Sequence, residues 1–204
     1  MLSVAQALRQ LFDYVSPPGE EIVNLADAVG RVLVKPAVAA RDQPPFAASA
    51  MDGYAVHDAD ARAGAVLTVI GESAAGHRFD GTLERGQAVR ISTGAPLPRA
   101  AGRVIIQEDV QRDGAQIILN SQIDDARYVR AAAADFAAGY SFAAPRLLQP
   151  GDLALLASMN AASLTVSRRP VVAFIATGDE LVMPGDSPGA DQIIASNSIG
   201  LMAL

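Results

Sequence analysis

Between Val66 and Leu119 the chain is cut by glycines at 71, 76, 81, 86, 94 and 102, at turn-like intervals. The apolar runs between them, Val66 to Ile70 and Ala88 to Ile91, are short and rich in β-branched residues, and read as strands. Val104 to Gln111 and Ala115 to Leu119 add a hairpin across Arg112-Asp113-Gly114. The stretch from Ala59 to Leu119 therefore predicts an all-β region, a small barrel or sandwich.

The flanks read differently. Ser3 and Gln6 have capping-box spacing, and Val4, Leu8, Leu11, Phe12 and Val15 recur at helical spacing until Pro17-Pro18-Gly19. A short helical turn over Leu25 to Gly30 and a strand over Arg31 to Val34 follow. Further on, Pro150-Gly151-Asp152 opens a helix with Asp152 as its expected N-cap, and Ser163 to Ser167 is a strand. Arg168-Arg169-Pro170 reads as a solvated boundary. The run Val171 to Ala176 is continuously apolar, as in a parallel strand covered on both faces, and the polar loop Thr177 to Glu180 stands at its C-terminal end. Open α/β sheets place ligands there. After a loop containing Pro184, Gly185, Pro188 and Gly189, Ser196-Asn197 are expected to cap a helix whose N-terminus offers N–H donors to an anion.

Composition removes several kinds of chemistry. The 204 residues include no cysteine, so disulfides, thiolate catalysis and cysteine–zinc sites are excluded. Only two histidines are present, His57 and His77, both in predicted loops, so a metal would be held by carboxylates, hydroxyls and water, which suits magnesium. Sixteen basic and 22 acidic residues give a net charge of −6, against a nucleic-acid partner. No run of about 20 apolar residues predicts a membrane span, and the expected location is the cytoplasm. An anionic substrate would have to be met by local arginines, backbone amides or a cation.

Three stretches carry the chemistry. Pro44-Pro45-Phe46-Ala47-Ala48-Ser49-Ala50-Met51-Asp52-Gly53-Tyr54-Ala55-Val56 has two prolines, small residues that let the backbone approach another surface, and a carboxylate on a turn leading into a strand. Gly53 is expected to supply a positive φ. Ile91-Ser92-Thr93-Gly94-Ala95-Pro96-Leu97-Pro98 offers a hydroxyl beside a glycine, and Ala176-Thr177-Gly178-Asp179-Glu180-Leu181 is the polar loop noted above. Glu108 reads as the outward residue of an alternating strand. The segment Val129 to Gly139 is alanine-rich, and propensity alone makes it helix.

In order and spacing the three stretches resemble the molybdopterin molybdenumtransferases, whose module also forms the C-terminal part of gephyrin. The resemblance implies an α+β multi-domain fold. Residues 1–43 with 140–168 would form an elongated helix/strand linker and dimerisation domain, and 44–139 a β-rich inserted domain. Residues 169–204 would begin an incomplete α/β domain with its first strand-loop-helix. One such unit cannot make a doubly wound sheet, so the chain is expected to be an N-terminal portion with little activity alone. The implied reaction is magnesium-dependent insertion of molybdate-derived molybdenum into adenylylated molybdopterin, by a homodimer. Partners would be the enzyme that supplies this substrate and the recipient molybdoenzymes. The resemblance implies catalytic roles for Asp52, Thr93, Asp135 and Glu180, with Asp52 and Glu180 orienting magnesium. It implies substrate contacts from Ser49, Gly94, Thr177, Gly178, Asp179, Ser196 and Asn197. Arg130 and Asp135 match the ends of an extended family stretch in which Ala133 replaces a glycine. Asp191, Ile194 and Ala195 also depart from the family pattern, removing an aromatic ring and a carboxylate. These departures support the alternative, a non-catalytic dimeric scaffold of the same architecture.

Overall fold

The computed structural model describes residues 2–204 and divides into two units, 22–166 and the segments that flank it. The class is α+β, rich in short strands, with three α-helices among the described residues.

Unit 22–166 is built on a six-stranded sheet in the order Arg103–Ile106, Gly53–Val56, Gln87–Ile91, Val66–Ser73, Gln116–Leu119, Val110–Asp113. All neighbours are antiparallel except Val66–Ser73 beside Gln87–Ile91, which are parallel. Alternation along the strands buries both faces. Tyr54, Val56, Leu67, Ala88, Ile105 and Ile117 pack on one side, and Ala55, Leu83, Val89, Ile91 and Val104 on the other. The expected barrel or sandwich is thus one mixed sheet with a core on each face. The expected hairpin is also modified. Only Val110–Asp113 and Gln116–Leu119 pair as its arms, because Gln107–Asp109 form a 3-10 turn that ends the preceding strand. Glu108 stands on that turn, exposed, and not on a strand.

Gly53 is needed for a reason other than the expected one. Its φ is not positive; it opens the Gly53–Val56 strand, and the Ile105 carbonyl occupies the space a Cβ would need.

A second core gathers Ala28, Leu33, Phe136, Phe142, Leu156 and Val166. It lies with a four-stranded sheet ordered Glu20–Asn24, Ser163–Ser167, Val32–Leu33, Arg146–Leu147. The helix Pro150–Ser158 begins three residues earlier than expected, with its N-cap at Gln149 and not at Asp152. Pro150 fills its first position, where a missing N–H does no harm. Asp152 is therefore the third helical residue. Its carboxylate accepts from the Gln149 N–H at 2.9 Å and pairs with Arg146 at 2.7 Å.

In the flanking unit, Val4–Tyr14 is helical and closed by the expected box. The Ser3 N–H donates to Gln6 Oε1 at 2.9 Å, and the Gln6 N–H to Ser3 Oγ at 3.3 Å. The apolar residues of this helix are exposed. Arg168 is more than a solvated linker, since its Nε donates to the Glu20 carbonyl at 3.2 Å. The run Val171 to Ala176 is not a strand. Val171 is 100% exposed and Ile175 84%, and among the described residues no strand lies alongside to take up the backbone bonds. The parallel pair of this unit is Leu181–Val182 with Ile193–Ile194, followed by the helix Asn197–Met202.

Candidate functional site

Within unit 22–166 three distant stretches meet along one seam. On one side of residues 47–52, the Leu97 N–H donates to the Ala47 carbonyl at 2.8 Å and the Ser49 N–H to the Ala95 carbonyl at 3.0 Å. The Gly94 N–H returns to the Ser49 carbonyl at 2.8 Å. On the other side Ala48–Ser49 pairs with Val129–Arg130, and the Ala50 N–H donates to the Tyr128 carbonyl at 2.8 Å. Small side chains at 47–50 permit this close approach on both flanks.

The seam ends at Asp52. Its Oδ1 accepts the Thr93 N–H at 2.6 Å and the Thr93 hydroxyl at 2.8 Å, while among the described residues Oδ2 accepts no hydrogen bond. The Thr93 N–H, then its hydroxyl, and the charge of Arg90 hold the Asp52 carboxyl below its usual value. The side chain is exposed. Gly94 turns the chain beside Thr93 with φ +79°. Ser49 is buried, and its hydroxyl is engaged locally, donating to the Met51 carbonyl at 2.6 Å.

The segment Val129 to Gly139 is not a helix. After the Val129–Arg130 strand it runs through turns, with Ala133 at φ +59° and its N–H on the Pro44 carbonyl at 2.9 Å. Alanine thus takes the left-handed conformation that the family's glycine would favour, because tertiary hydrogen bonding overrides helix propensity. The Asp135 N–H donates to the Gln43 carbonyl at 2.9 Å, and its carboxylate is ion-paired with Arg130.

Asp52, Thr93, Gly94 and Ser49 are therefore close together, and the strand that carries Arg130 borders the same seam. Two neighbours were missed in the sequence. Arg90 lies over the Tyr54 ring, 5.2 Å from its centroid, and donates to Gln107 Oε1 at 2.9 Å. The Gln107 N–H donates to the Asp52 carbonyl at 3.1 Å, and its Nε2 to Glu108 at 3.1 Å. The available signal was Arg90 itself, a charge within the apolar Ala88 to Ile91 strand.

The remaining candidates belong to the flanking unit. Glu180 folds its carboxylate back over Gly178, where any β-carbon would collide with it. The Ile193 N–H donates to the Glu180 carbonyl at 2.7 Å. Thr177, Ser196 and Asn197 line a cavity of about 420 Å³ together with Phe174, Ile194 and Leu201. Asp179 and Glu180 lie outside that lining. Ser196 is at the N-cap of Asn197–Met202 but makes no side-chain capping bond, and the helix has only six residues.

Among the described residues no three His, Cys, Asp or Glu side chains gather as a metal cage. Asp52 nevertheless fits one corner of a magnesium site. It is ionised, fixed through one oxygen and free at the other, and magnesium is commonly bound through one or two carboxylates while keeping its waters. No described helix is long and apolar enough to cross a membrane.

The family described as "MoeA N-terminal region (domain I and II)" matches residues 2–160. The chain is 36% identical over 214 residues to a molybdopterin molybdenumtransferase of Nostoc sp., covering 100% of this chain and 49% of that protein. It is 33% identical over 200 residues to that of Haemophilus influenzae, covering 97% and 50%. The chain thus spans about half the length of these curated relatives. Two crystal structures of the molybdopterin biosynthesis MoeA protein from Pyrococcus horikoshii superpose with TM-scores of 0.83 and 0.86, each at 31% identity. They cover 98% and 100% of this chain and 53% and 56% of theirs.

Proposed function

The chain belongs to the MoeA N-terminal family, and from that premise we propose that it supplies the Asp52 half of the site in a molybdopterin molybdenumtransferase. The substrates on this reading are molybdate and adenylylated molybdopterin, and the product is molybdenum-loaded molybdopterin with release of the adenylate. The observation that carries the reading is the single-oxygen anchoring of Asp52 on Thr93 at the meeting of the three stretches.

Magnesium, when bound, supplies positive charge to the phosphoanhydride and to the incoming oxyanion. The chain's own residues set the stage for it. Thr93 fixes the direction of the Asp52 carboxylate and keeps it ionised, so the open oxygen can orient the cation or one of its waters. The exposed turn at Gly94 lets backbone approach an oxyanion closely. Glu180 provides the second carboxylate. Thr177, Gly178, Asp179, Ser196 and Asn197 shape the pterin-nucleotide pocket, and Asp135 adds a carboxylate whose charge Arg130 balances. The active form is a homodimer whose cleft joins the β-rich domain of one subunit to the α/β domain of the other, so Asp52 and Glu180 need not meet within one chain. The division is 44–139 as the β-rich domain, 1–43 with 140–168 as the linker, and 169–204 as the start of the α/β domain. The cytoplasm, where the cofactor would be handed to molybdoenzymes, is the matching location.

The test is magnesium-dependent molybdate insertion, read by reactivation of an apo-molybdoenzyme, for this chain and for the complete reading frame. Activity in the complete protein, lost in Asp52→Ala and in Glu180→Ala with folding intact, supports the reading. Undiminished activity in either variant defeats the assignment. A second reading, the non-catalytic scaffold, draws on the apolar Ile194 and Ala195 in the wall of the 420 Å³ cavity. It requires a complete protein that dimerises and ignores adenylylated molybdopterin.

A further inference from the structure

The segment that crosses between the parallel strands Val66–Ser73 and Gln87–Ile91 helps to form a pocket of about 200 Å³. Phe46, Phe79 and Leu97 give it apolar walls, and Arg78, Arg99 and Asp80 are its charged groups. The walls are firmly built. The Phe79 ring lies over both Gly71 and Gly81, 2.6 Å from where either β-carbon would stand, so a side chain at either position would displace the ring. The Arg78 guanidinium lies over the Phe46 ring, 5.9 Å from its centroid. The adjoining Pro96 carbonyl accepts from the hydroxyl of fully buried Ser73 at 2.7 Å.

The arginines here differ from five others in the chain. Arg85, Arg103, Arg127, Arg130 and Arg146 each hold an aspartate. Among the described residues Arg78 and Arg99 hold no carboxylate, although Asp80 lines the same pocket. Two guanidinium groups and one carboxylate leave a local excess of positive charge on a chain whose net charge is −6.

We propose that this pocket binds a tetrahedral oxyanion, free or at the end of a phosphate monoester, between Arg78 and Arg99. A guanidinium offers a planar fork of donors that matches paired oxyanion oxygens. A tetrahedral anion presents oxygens in several directions and can serve two forks from different segments. Phe46, Phe79 and Leu97 flank the site, while Arg78 and Arg99 are exposed and can meet an anion directly from solvent. The volume suits a small anion and falls below the roughly 300–1,000 Å³ of sites that enclose larger ligands. Asp80 weakens the site by like-charge repulsion and thereby tunes it. The pocket is separate from Asp52 and Thr93, yet Ala47, Pro96 and Leu97 line it and the Leu97 N–H bonds the Ala47 carbonyl of the seam, so an anion here would brace the seam. The proposal does not rest on the transferase reading.

The experiment is calorimetric and amide-NMR titration of this chain with inorganic phosphate, molybdate and methyl phosphate. Expected are amide shifts at 78–81, Leu97 and Arg99. Binding should be about tenfold weaker in Arg78→Ala and Arg99→Ala, as for lost charge-assisted hydrogen bonds. It should be about threefold tighter in Asp80→Asn and unchanged in Arg62→Ala. Methyl phosphate binding as well as inorganic phosphate would mark the monoester as the source, and binding of the inorganic ions alone would mark the free anion. Either supports the site. Wild-type affinity in both arginine variants, with amide spectra showing them folded, would overturn it. So would shifts confined to other residues, or no binding of any of the three probes at millimolar concentration.

Discussion

Thr93 holds Asp52 through one carboxylate oxygen, with the N–H at 2.6 Å and the hydroxyl at 2.8 Å both directed to Oδ1. Replacing Thr93 by Val deletes the hydroxyl bond and retains the backbone one. The Asp52 carboxyl should then titrate higher than in the parent chain while staying below its usual value, as read by carboxyl-carbon NMR. In the complete protein the same change should lower kcat about tenfold through lost orientation. An unmoved titration would show that the hydroxyl does nothing for this carboxylate.

Ala133 stands at φ +59°, where an L side chain is crowded against its own backbone. Ala133→Gly should stabilise unit 22–166 by about 1 kcal/mol, less the extra entropy of the unfolded glycine. A thermal scan should show a rise of about 2–4 °C per kcal/mol gained. Ala133→Val should move the midpoint the other way.

Gly53 faces the Ile105 carbonyl with no room for a β-carbon. Gly53→Ala should force the Gly53–Val56 and Arg103–Ile106 strands apart, at about 3 kcal/mol by urea denaturation. The loss should appear first as faster amide exchange along Arg103–Ile106.

Four carboxyls lie below their usual value near 3.8. Asp52 is lowered chiefly by Thr93, Asp124 by the Tyr128 hydroxyl, and Asp152 by the Gln149 N–H. At Asp60 burial pushes the group up, but the Gly86 N–H and Arg85 together outweigh it. For each, the folded state binds its proton less readily than the unfolded state. Their contribution to stability is therefore full above the unfolded value and is lost as pH falls through the folded one. Denaturation midpoints should be flat in this respect from pH 7 to about 5 and fall below about 4. The fall should be shallower in Asp152→Asn, which keeps the shape and cannot ionise.

Local signals in the sequence led to the capped first helix, the Ser163–Ser167 strand and the glycine-punctuated sheet, because each is set by neighbouring residues. The motif stretches could be found in the sequence, but their contacts could not. Val171 to Ala176 has the composition of a buried strand and lacks one here, since a strand depends on a partner's backbone and composition cannot supply it. Alanines 131–134 favour helix locally, yet hydrogen bonds to Gln43 and Pro44 draw the segment into turns. Gly53 looked like a turn residue because its crowding comes from Ile105, more than 50 positions away. Arg90 and Gln107 became neighbours of Asp52 only once three strands were in register.

The seam described above joins residues 47–52 to 93–97 and to 128–130, and its Asp52–Thr93 bond alone spans 41 positions. Contacts of such range form late, because loop closure must precede them. During synthesis Asp52 leaves the ribosome well before Thr93, and Thr93 before the strand at Val129 that completes the other flank. A nascent chain therefore carries the Asp52 carboxylate without its Thr93 anchor until residue 93 has emerged, and without the seam's second flank until about residue 130.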